Sequence, residues 1–399
     1  MIVKTPPMGW NSWNTIGPEI NEETVIKIAD IMAEQGYKEA GYEYVIIDDC
    51  WLLRERDENG KLVPDPKKFP HGMKYVADYV HSKGLKFGMY SCAGARTCAK
   101  YPSSYEHEYT DAESFAEWGV DYLKYDFCNF YGENPKRAYF TMSQALRATG
   151  RDILFAACNW GWGDKNGIPY GNNIEIHDGE KLAGEWMREA GAHTYRSTTD
   201  INDSWESTKK LIEFQRKAYS TCGTGFFNDI DMMTVGMYGK GHVARPVNTE
   251  YCDYELQFAY WCFVGAPLIM GADLSKVDDQ CRVLMQNKEL IRINQDKECR
   301  PPHFLGHDKP YSTYNVNGVY VYCRLLEDGE FAIGVFNLYD DAKSVVVPFA
   351  CHGVPYASGK KLDITELVTG EYVGTKRGDM VVSLPKHGAR VYRCKIVEA

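Results

Sequence analysis

The chain reads Leu-Lys-Tyr-Asp-Phe-Cys-Asn at residues 123–129, directly after Trp-Gly-Val-Asp-Tyr at residues 118–122. This pattern predicts a buried β-strand that ends in a carboxylate. Because side chains alternate along an extended strand, Lys124 and Asp126 point to the same face. The lysine would favour the ionised form of the aspartate, although a solvated ion pair is the commoner meaning of such a pattern. Whether this pair is functional or merely solvated depends on how the other predicted strands end.

Short apolar runs of this kind recur along the chain, each followed by polar residues and then by a helical pattern. An interval of about 30 to 40 residues between runs is typical of a (β/α)8 barrel, in which every strand is followed by a helix. The runs lie at residues 8–13, 44–51, 86–92, 122–127, 153–159, 193–200, 225–231 and 266–273.

The segments between the runs favour helices. Asn21 predicts a helix start, because its side chain can accept a backbone N–H bond, and Glu22 and Glu23 suit the first turn. Apolar residues then recur at helical spacing until Gly36. Further helices are predicted from Asp111 onward, over residues 135–148 and over residues 205–219.

The pattern changes after Asp296, where apolar and polar residues alternate between Gly, Asp and Asn turns. Such alternation without a helical period predicts an antiparallel β-sandwich. The fold class is therefore α/β, with a (β/α)8 barrel over residues 1–297 and a C-terminal β-sandwich over residues 298–399. A Gly- and Asn-rich insertion at residues 162–177 follows the fifth run, and such loops usually shape a pocket. The sandwich strands are predicted at residues 311–324, 331–338, 344–349, 361–367, 379–384 and 389–394.

The composition is that of a globular protein with material for a large core: 44% of the 399 residues are hydrophobic and 25% are charged. The formal net charge is -10, and basic residues form no long run. Both features argue against non-specific nucleic-acid binding. We therefore expect a neutral substrate and no nucleic-acid partner.

The N-terminal residues 1–7 lack the basic and apolar regions of a signal peptide, and no apolar run approaches the ~20 residues that cross a bilayer. The 13 cysteines are scattered and form no Cys-x-x-Cys pair. This usage is typical of buried thiols in a reducing compartment. We predict a cytoplasmic protein with no membrane partner.

Polar side chains gather at the predicted carboxyl ends of the strands, where barrels of this kind place their active sites. Histidines are few, which disfavours zinc, and no phosphate-binding motif occurs. A carboxylate site for Mg²⁺ or Ca²⁺ is a weaker alternative, and we predict neither a metal nor a cofactor. The strand-end residues are Trp10, Asp48, Asp49, Tyr90, Cys92, Lys124, Asp126, Cys128, Asn159, Arg196, Asp200, Asp229, Asp231 and Asp273.

Two aspartates that face each other across a pocket can act as nucleophile and general acid in glycoside hydrolysis. Asp126 suits the nucleophile, because Lys124 would stabilise its charge. Asp200 suits the acid, because the neighbouring negative charge of Asp126 would raise its pKa and keep it protonated. The two carboxyl groups titrate as one coupled pair.

Six motifs, in order along nearly the whole chain, closely resemble glycoside hydrolase family 27. This is the family of retaining α-galactosidases and α-N-acetylgalactosaminidases, and it also includes β-L-arabinopyranosidases. The motifs are Gly-Trp-Asn-Ser-Trp at 9–13, Ile-Asp-Asp-Cys-Trp at 47–51, Gly-Met-Tyr-Ser at 88–91, Leu-Lys-Tyr-Asp at 123–126 with Cys128, Arg196 to Asp200 with Asp-Ser-Trp at 203–205, and Asn-Asp-Ile-Asp-Met at 228–232.

The resemblance implies that Asp126 forms the covalent glycosyl intermediate and that Asp200 is the acid/base. It implies that Asp48 and Asp49 bind the 6- and 4-hydroxyls of the sugar, and that Trp10 packs on the sugar. Cys98 and Cys128 match a family disulfide, although two neighbouring thiols would suit a reducing compartment better. The full set of implied substrate-binding residues is Trp10, Asp48, Asp49, Tyr90, Cys92, Lys124, Cys128, Asn159, Trp160, Arg196 and Asp231.

Two positions depart from the family pattern. Asn159 stands where α-galactosidases usually carry Glu, and its amide can still donate to and accept from a 2-hydroxyl. Cys92 stands where many relatives carry Asp. β-L-arabinopyranosidases take a sugar without the 6-hydroxymethyl group, and the presence of Asp48 favours galactose over that substrate.

We therefore predict a retaining exo-α-galactosidase that releases terminal α-galactosyl residues by double displacement through a glycosyl-aspartate. The alternatives are a β-L-arabinopyranosidase or α-N-acetylgalactosaminidase on the same scaffold and, outside the enzymes, an inactive galactose-binding barrel. The expected partner is a galactosyl oligosaccharide or glycoside. A homo-oligomer is compatible with such an enzyme, but no interface can be identified.

Overall fold

The computed structural model describes residues 2–130, 134–160, 184–218, 221–246, 248–305 and 319–398. The insertion predicted at residues 162–177 and the first part of the strand predicted at 311–324 lie outside these ranges. All of the predicted site residues lie inside them.

Eight parallel strands form the barrel in chain order, with β8 beside β1. Met233, which follows β7, forms a parallel bridge with Met270 of β8 and so connects these two strands. Each predicted run contains one strand, so the prediction of a (β/α)8 barrel is confirmed. The strands are β1 Met8–Asn11, β2 Tyr44–Ile46, β3 Lys86–Cys92, β4 Tyr122–Asp126, β5 Leu154–Ala157, β6 Thr194–Arg196, β7 Phe227–Asp229 and β8 Leu268–Met270.

The alternation along β4 sends its side chains to two different environments. Leu123 and Tyr125 join the large core between strands and helices. Tyr122 belongs to the smaller cluster shared by alternate residues of the other strands, which fills the barrel. Lys124 and Asp126 follow on that same face and reach the mouth of the barrel at the carboxyl ends of the strands.

Helices cover the barrel from outside. The Asn21 side chain accepts a bond from the Thr24 N–H, 2.9 Å away, and so caps the first helix as predicted. None of the helices in the described ranges is long and apolar enough to cross a bilayer. Their bounds are α1 Glu22–Glu34, α2 Gly72–Ser82, α3 Glu108–Trp118, α4 Pro135–Ala148, α5 Gly184–Glu189, α6 Trp205–Ala218, α7 Tyr251–Val264, α8 Asp279–Met285 and α9 Lys288–Asn294.

The C-terminal strands form two antiparallel sheets, in the orders β14-β13-β16-β11-β10-β9 and β12-β15. Their facing apolar side chains form a core of their own, which confirms the predicted sandwich. Sequence reasoning missed β9, which has only two residues, and β14, which is largely exposed. The domain boundary at 297/298 stays a prediction. The bounds are β9 His303–Phe304, β10 Val319–Leu325, β11 Glu330–Asn337, β12 Lys343–Pro348, β13 Lys361–Glu366, β14 Tyr372–Lys376, β15 Asp379–Leu384 and β16 Ala389–Val397.

Helix α7 is buried on almost every side, because it lies between the barrel and the C-terminal sheet. At its C-terminal end the buried guanidinium of Arg324, from β10, donates to the carbonyl of Phe263 at 2.9 Å. A cation is favoured at this end of a helix by the helix dipole.

At the N-terminal end of α7, His387 connects the two parts of the molecule. Its Nδ1 lies 2.5 Å from Oδ1 of Asp253 in α7, and its Nε2 lies 3.0 Å from Oδ1 of Asp340. The ring also stacks on Trp205 of α6, with centroids 3.7 Å apart. The residue itself is only 6% exposed. One imidazole therefore holds two barrel helices and two C-terminal loops together.

We expect His387→Ala to lower Tm by about 2 to 4 °C, because buried Asp253 would lose its contact with the imidazole. Thermal unfolding followed by circular dichroism measures this shift. His303→Ala is the matched control, since His303 is exposed on β9. Equal Tm values for the two variants would show that the imidazole is not a structural connection.

Candidate active site

A cavity of about 250 Å³ opens at the carboxyl ends of the barrel strands. Most of the predicted site residues lie on its wall. Trp10, Cys92, Cys128 and Asn159 are buried beside it without lining it. The predicted residues on the wall are Asp48, Asp49, Tyr90, Lys124, Asp126, Trp160, Arg196, Asp200 and Asp231.

Asp126 lies at the deep end of the cavity and is 5% exposed. Its carboxylate accepts from the Tyr90 hydroxyl and from the backbone N–H of Phe127, each at 2.9 Å. Burial raises the pKa of Asp126 to about 6, although Lys124 acts in the opposite direction. The carboxylate is thus harder to ionise than an ordinary aspartate.

Lys124 bonds to Asp48 rather than to Asp126, although its charge still lowers the pKa of Asp126, as expected from their positions on the strand. The Lys124 Nζ lies 2.8 Å from Oδ2 of Asp48, which also accepts from Asn11 at 2.8 Å. Burial lowers the pKa of Lys124, but Asp48 outweighs this effect and holds that pKa well above its usual value. Lys124 therefore stays charged, and the carboxylate that it bonds to lies just after β2 and not on its own strand.

Asp200 lies at the outer end of the cavity, with its side chain 74% exposed. The Arg196 Nη2 donates to it at 2.6 Å and also lies 2.7 Å from Oδ2 of Asp231. Partial removal from water raises the pKa of Asp200, but Arg196 outweighs this effect and leaves the pKa below its usual value. The upward shift of the Asp200 pKa that was expected from Asp126 is therefore wrong.

Asp231 is the buried partner in this group. Burial raises the pKa of Asp231 to about 6, against the effect of Arg196. Its Oδ2 accepts from the Ile201 N–H at 2.7 Å, and its backbone has φ 80°, which is uncommon for a residue with a side chain. This conformation aims the carboxylate at Arg196 and at the backbone that follows Asp200.

The Cys98–Cys128 disulfide joins two loops at the cavity, with Cα atoms 5.1 Å apart. Cys98 lines the cavity, and its Sγ lies 3.5 Å from Oδ2 of Asp126. The N–H of Ala99, the residue after Cys98, donates to the Asp49 carboxylate at 3.0 Å. The disulfide therefore holds a loop that contacts two carboxylates of the inner end, Asp49 and Asp126.

The predicted sites that do not line the cavity have other partners. Trp10 is fully buried, and its indole donates to the carbonyl of Ala272 at 2.8 Å. The Sγ of Cys92 accepts from the Cys128 N–H at 3.1 Å. Contact of these residues or of Asn159 with a substrate stays a prediction.

Sequence reasoning missed several residues of the wall. In the motif at 9–13 it chose Trp10, whereas half-buried Trp13 lines the cavity and meets His242 edge-on at 4.8 Å. The sequence could have indicated Trp13, because Trp13 follows the carboxyl end of β1, whereas Trp10 lies within the strand. The remaining missed residues are Asn14, Cys98, Cys158, Ile201, Asn202, Met232, Val243 and Arg245.

Two groups among the described residues bring possible metal ligands within 4.8 Å of one another. In the first, beside Asp126, the sulfurs of Cys98 and Cys128 are bonded to each other and offer no thiolate. In the second, Cys252 accompanies the hydrogen-bonded pair of Asp253 and His387. That group does not line the cavity.

The α-galactosidase A family matches residues 5–296, and the α-galactosidase C-terminal β-sandwich domain matches residues 316–394. Among the relatives, an α-galactosidase of Coffea arabica is 42% identical over 97% of this chain and 93% of its own length. An α-galactosidase A of Cellvibrio japonicus is 37% identical over 98% and 92%.

Solved structures resemble the whole chain. The α-galactosidase of Saccharomyces cerevisiae, solved with raffinose, superposes with a TM-score of 0.84 at 25% identity and covers 98% of both chains. The likeness therefore includes both the barrel and the C-terminal sheets.

We expect Tyr90→Phe to raise the pKa of the Asp126 carboxyl by about half a unit to one unit. The hydroxyl stabilises the ionised carboxylate, and its loss favours the protonated form by the free energy of one hydrogen bond. Titration of ¹³C-labelled aspartate carboxyls by NMR measures the change.

Tyr37→Phe is the control for this titration. Tyr37 is also fully buried, but its hydroxyl has no hydrogen-bond partner in the described part of the chain and does not line the cavity. If both variants moved the Asp126 titration equally, the contact with Tyr90 would not govern it.

Proposed function

The chain belongs to glycoside hydrolase family 27, and from this premise we propose that it is a retaining exo-α-galactosidase. It is a glycoside hydrolase that releases terminal α-galactosyl residues. The observation that carries the proposal is the placement of Asp126 and Asp200 at the inner and outer ends of one cavity. A buried nucleophile and a partly exposed acid suit a sugar that enters to a dead end and a leaving group that stays outside.

In the first step, a carboxylate oxygen of Asp126 attacks the anomeric carbon and forms a C–O bond. The bond to the leaving oxygen breaks, and Asp200 donates its proton to that oxygen. In the second step, water gives a proton to Asp200 while its oxygen displaces Asp126. Two inversions at one carbon retain the original configuration.

The pair needs one proton, and that proton must be on Asp200. Burial raises the pKa of Asp126, whereas Arg196 outweighs the partial removal of Asp200 from water and holds its pKa below the usual value. We expect a bound leaving group to exclude water from exposed Asp200 and so to raise the pKa of Asp200 towards its protonated form. Formation of the ester then removes the charge of Asp126, which lowers the pKa of Asp200 further and suits its role as base.

The deep end of the cavity supports galactose as the sugar. Asp48 and Asp49 are 2% and 1% exposed there, and their carboxylates are the proposed acceptors for two hydroxyls of the sugar. A buried acceptor left without its hydroxyl costs free energy, so the site discriminates against sugars that lack one. We therefore favour galactose over arabinopyranose, which has no 6-hydroxyl to meet Asp48.

The compartment and the oligomeric state stay proposals. The Cys98–Cys128 disulfide is typical of an oxidising compartment, whereas the other eleven cysteines are free thiols. We retain the cytoplasmic prediction on the basis of the thiols. The expected partner is a galactosyl oligosaccharide or glycoside, with no nucleic acid or membrane.

Azide rescue tests the two carboxylates. We expect Asp126→Gly to lose about 10⁴-fold or more in kcat and, with azide and an activated α-galactoside, to form the β-galactosyl azide. Asp200→Gly should form the α-azide, because azide attacks the glycosyl-enzyme. Product stereochemistry by ¹H NMR distinguishes them.

Asp273→Ala is the matched control for the azide experiment. Asp273 is also an aspartate at a predicted strand end, but it bonds to Ser275 and Lys276 and does not line the cavity. Its kcat should stay within about twofold of the wild-type value. An α-azide from Asp126→Gly would overturn the assigned roles.

A pair of aryl glycosides tests the sugar. We expect kcat/KM for 4-nitrophenyl α-D-galactopyranoside to exceed that for the β-L-arabinopyranoside by about tenfold, the worth of one buried hydroxyl contact. Asp48→Asn should narrow this ratio, because its amide retains only one acceptor. A wild-type preference for the arabinoside would sink the galactose assignment.

A further inference from the structure

The cavity is graded from a buried inner end to an exposed outer end. The inner wall holds Asp48, Asp49 and Asp126, all at most 5% exposed. The outer wall holds exposed Asp200 and, beside it along the chain, half-buried Asn202. Because Asp200 as the acid must reach the leaving oxygen, the leaving group lies at the outer end. This assignment rests on the proposed function.

A second chain segment, residues 239–245, closes the outer end and is fixed in place. The Val243 N–H donates to the carbonyl of Asn14 at 3.0 Å, and the Asp203 N–H donates to the carbonyl of Val243 at 3.3 Å. The Gly239 N–H also donates to the Asp203 carboxylate at 2.6 Å. The segment therefore joins the loop after β1 to the loop that carries Asp200.

Gly241 permits this close approach. It has φ 114°, and a Cβ there would lie 2.9 Å from the Asn14 carbonyl oxygen. A side chain would thus separate the segment from the loop after β1. The two residues that the segment places on the cavity wall are Val243 and Arg245.

Arg245 differs from the other cations of the cavity. Lys124 bonds to Asp48, and Arg196 bonds to Asp200. The guanidinium of Arg245 makes one contact within the described chain, a 3.4 Å bond to the carbonyl of Ala244 beside it. Its donors are exposed at the outer wall, in a cavity that otherwise has an excess of carboxylates.

We propose that Arg245 is a specificity residue that binds the leaving sugar of an oligosaccharide substrate. The planar guanidinium presents paired N–H donors, which match two neighbouring hydroxyl oxygens. Asn202, on the same outer wall, adds an amide that can donate or accept. An aromatic or alkyl leaving group offers no such oxygens, so Arg245 selects oligosaccharides among α-galactosides.

The test compares two substrates in two enzymes. Melibiose has glucose as its leaving group, and phenyl α-D-galactopyranoside has an apolar one. We expect Arg245→Met to lower kcat/KM for melibiose about fivefold to tenfold more than for the phenyl galactoside, the worth of a charge-assisted hydrogen bond near solvent. Each substrate is compared with itself, so the intrinsic reactivity of its leaving group cancels.

Two further variants sharpen the test. Lys240→Met removes an exposed cation from the same segment, away from the cavity wall, and should leave the melibiose-to-phenyl ratio at the wild-type value. Arg245→Lys keeps the charge but loses the paired donors, and should fall between wild type and Arg245→Met.

The outcomes separate the two proposals. A wild-type enzyme that hydrolyses neither substrate would remove the proposed function itself. A wild-type enzyme that hydrolyses both, with equal losses or no loss for the two substrates in Arg245→Met, would overturn the role of Arg245 alone.

Discussion

Five carboxylates line the cavity, and two cations, Lys124 and Arg196, are already paired with them. The remaining excess of negative charge shifts the pKa values of these carboxylates. Arg196 lies between two of the carboxylates and cannot neutralise both. It lowers the pKa of exposed Asp200, while burial raises the pKa of Asp231 and of Asp126. Asp126 is therefore harder to ionise than an ordinary aspartate, and Asp200 is easier to ionise. The carboxylates are Asp48, Asp49, Asp126, Asp200 and Asp231.

The C-terminal sheets contribute to this arrangement through α7. The chain between β7 and α7 carries the segment 239–245, and its first end is held by the bridge between Met233 and Met270. Its second end is the start of α7, where His387 bonds to Asp253. The sandwich thus fixes an anchor of a cavity wall that it does not itself line.

The fold could be predicted from the sequence because the parallel strands are continuous apolar runs at regular intervals. The same runs located Asp126 and Asp200, since a polar residue that ends a buried strand must lie at the barrel mouth. The partner of Lys124 could not be predicted in this way. Asp48 lies 76 residues away, and only the pairing of both β2 and β4 with β3 in the curved sheet brings Asp48, just after β2, close to Lys124. The prediction of a raised pKa for Asp200 was wrong for the same reason, because the hydrogen bond from Arg196 exists only in the folded site.

The inner end of the cavity is built from strands and the outer end from loops. The proposed nucleophile and the residue proposed for leaving-group specificity therefore lie on different kinds of structure. Strand register fixes the backbone of the inner end, where β3 and β4 pair Tyr90 with Lys124. The outer end is built from loops, which tolerate changes in length and composition. Motif matching therefore recovers the inner residues and says little about Arg245, which no strand end predicts. Which leaving group this chain accepts is consequently a question about its loops, answered by charge and hydrogen bonding at the outer wall rather than by the family chemistry beneath it.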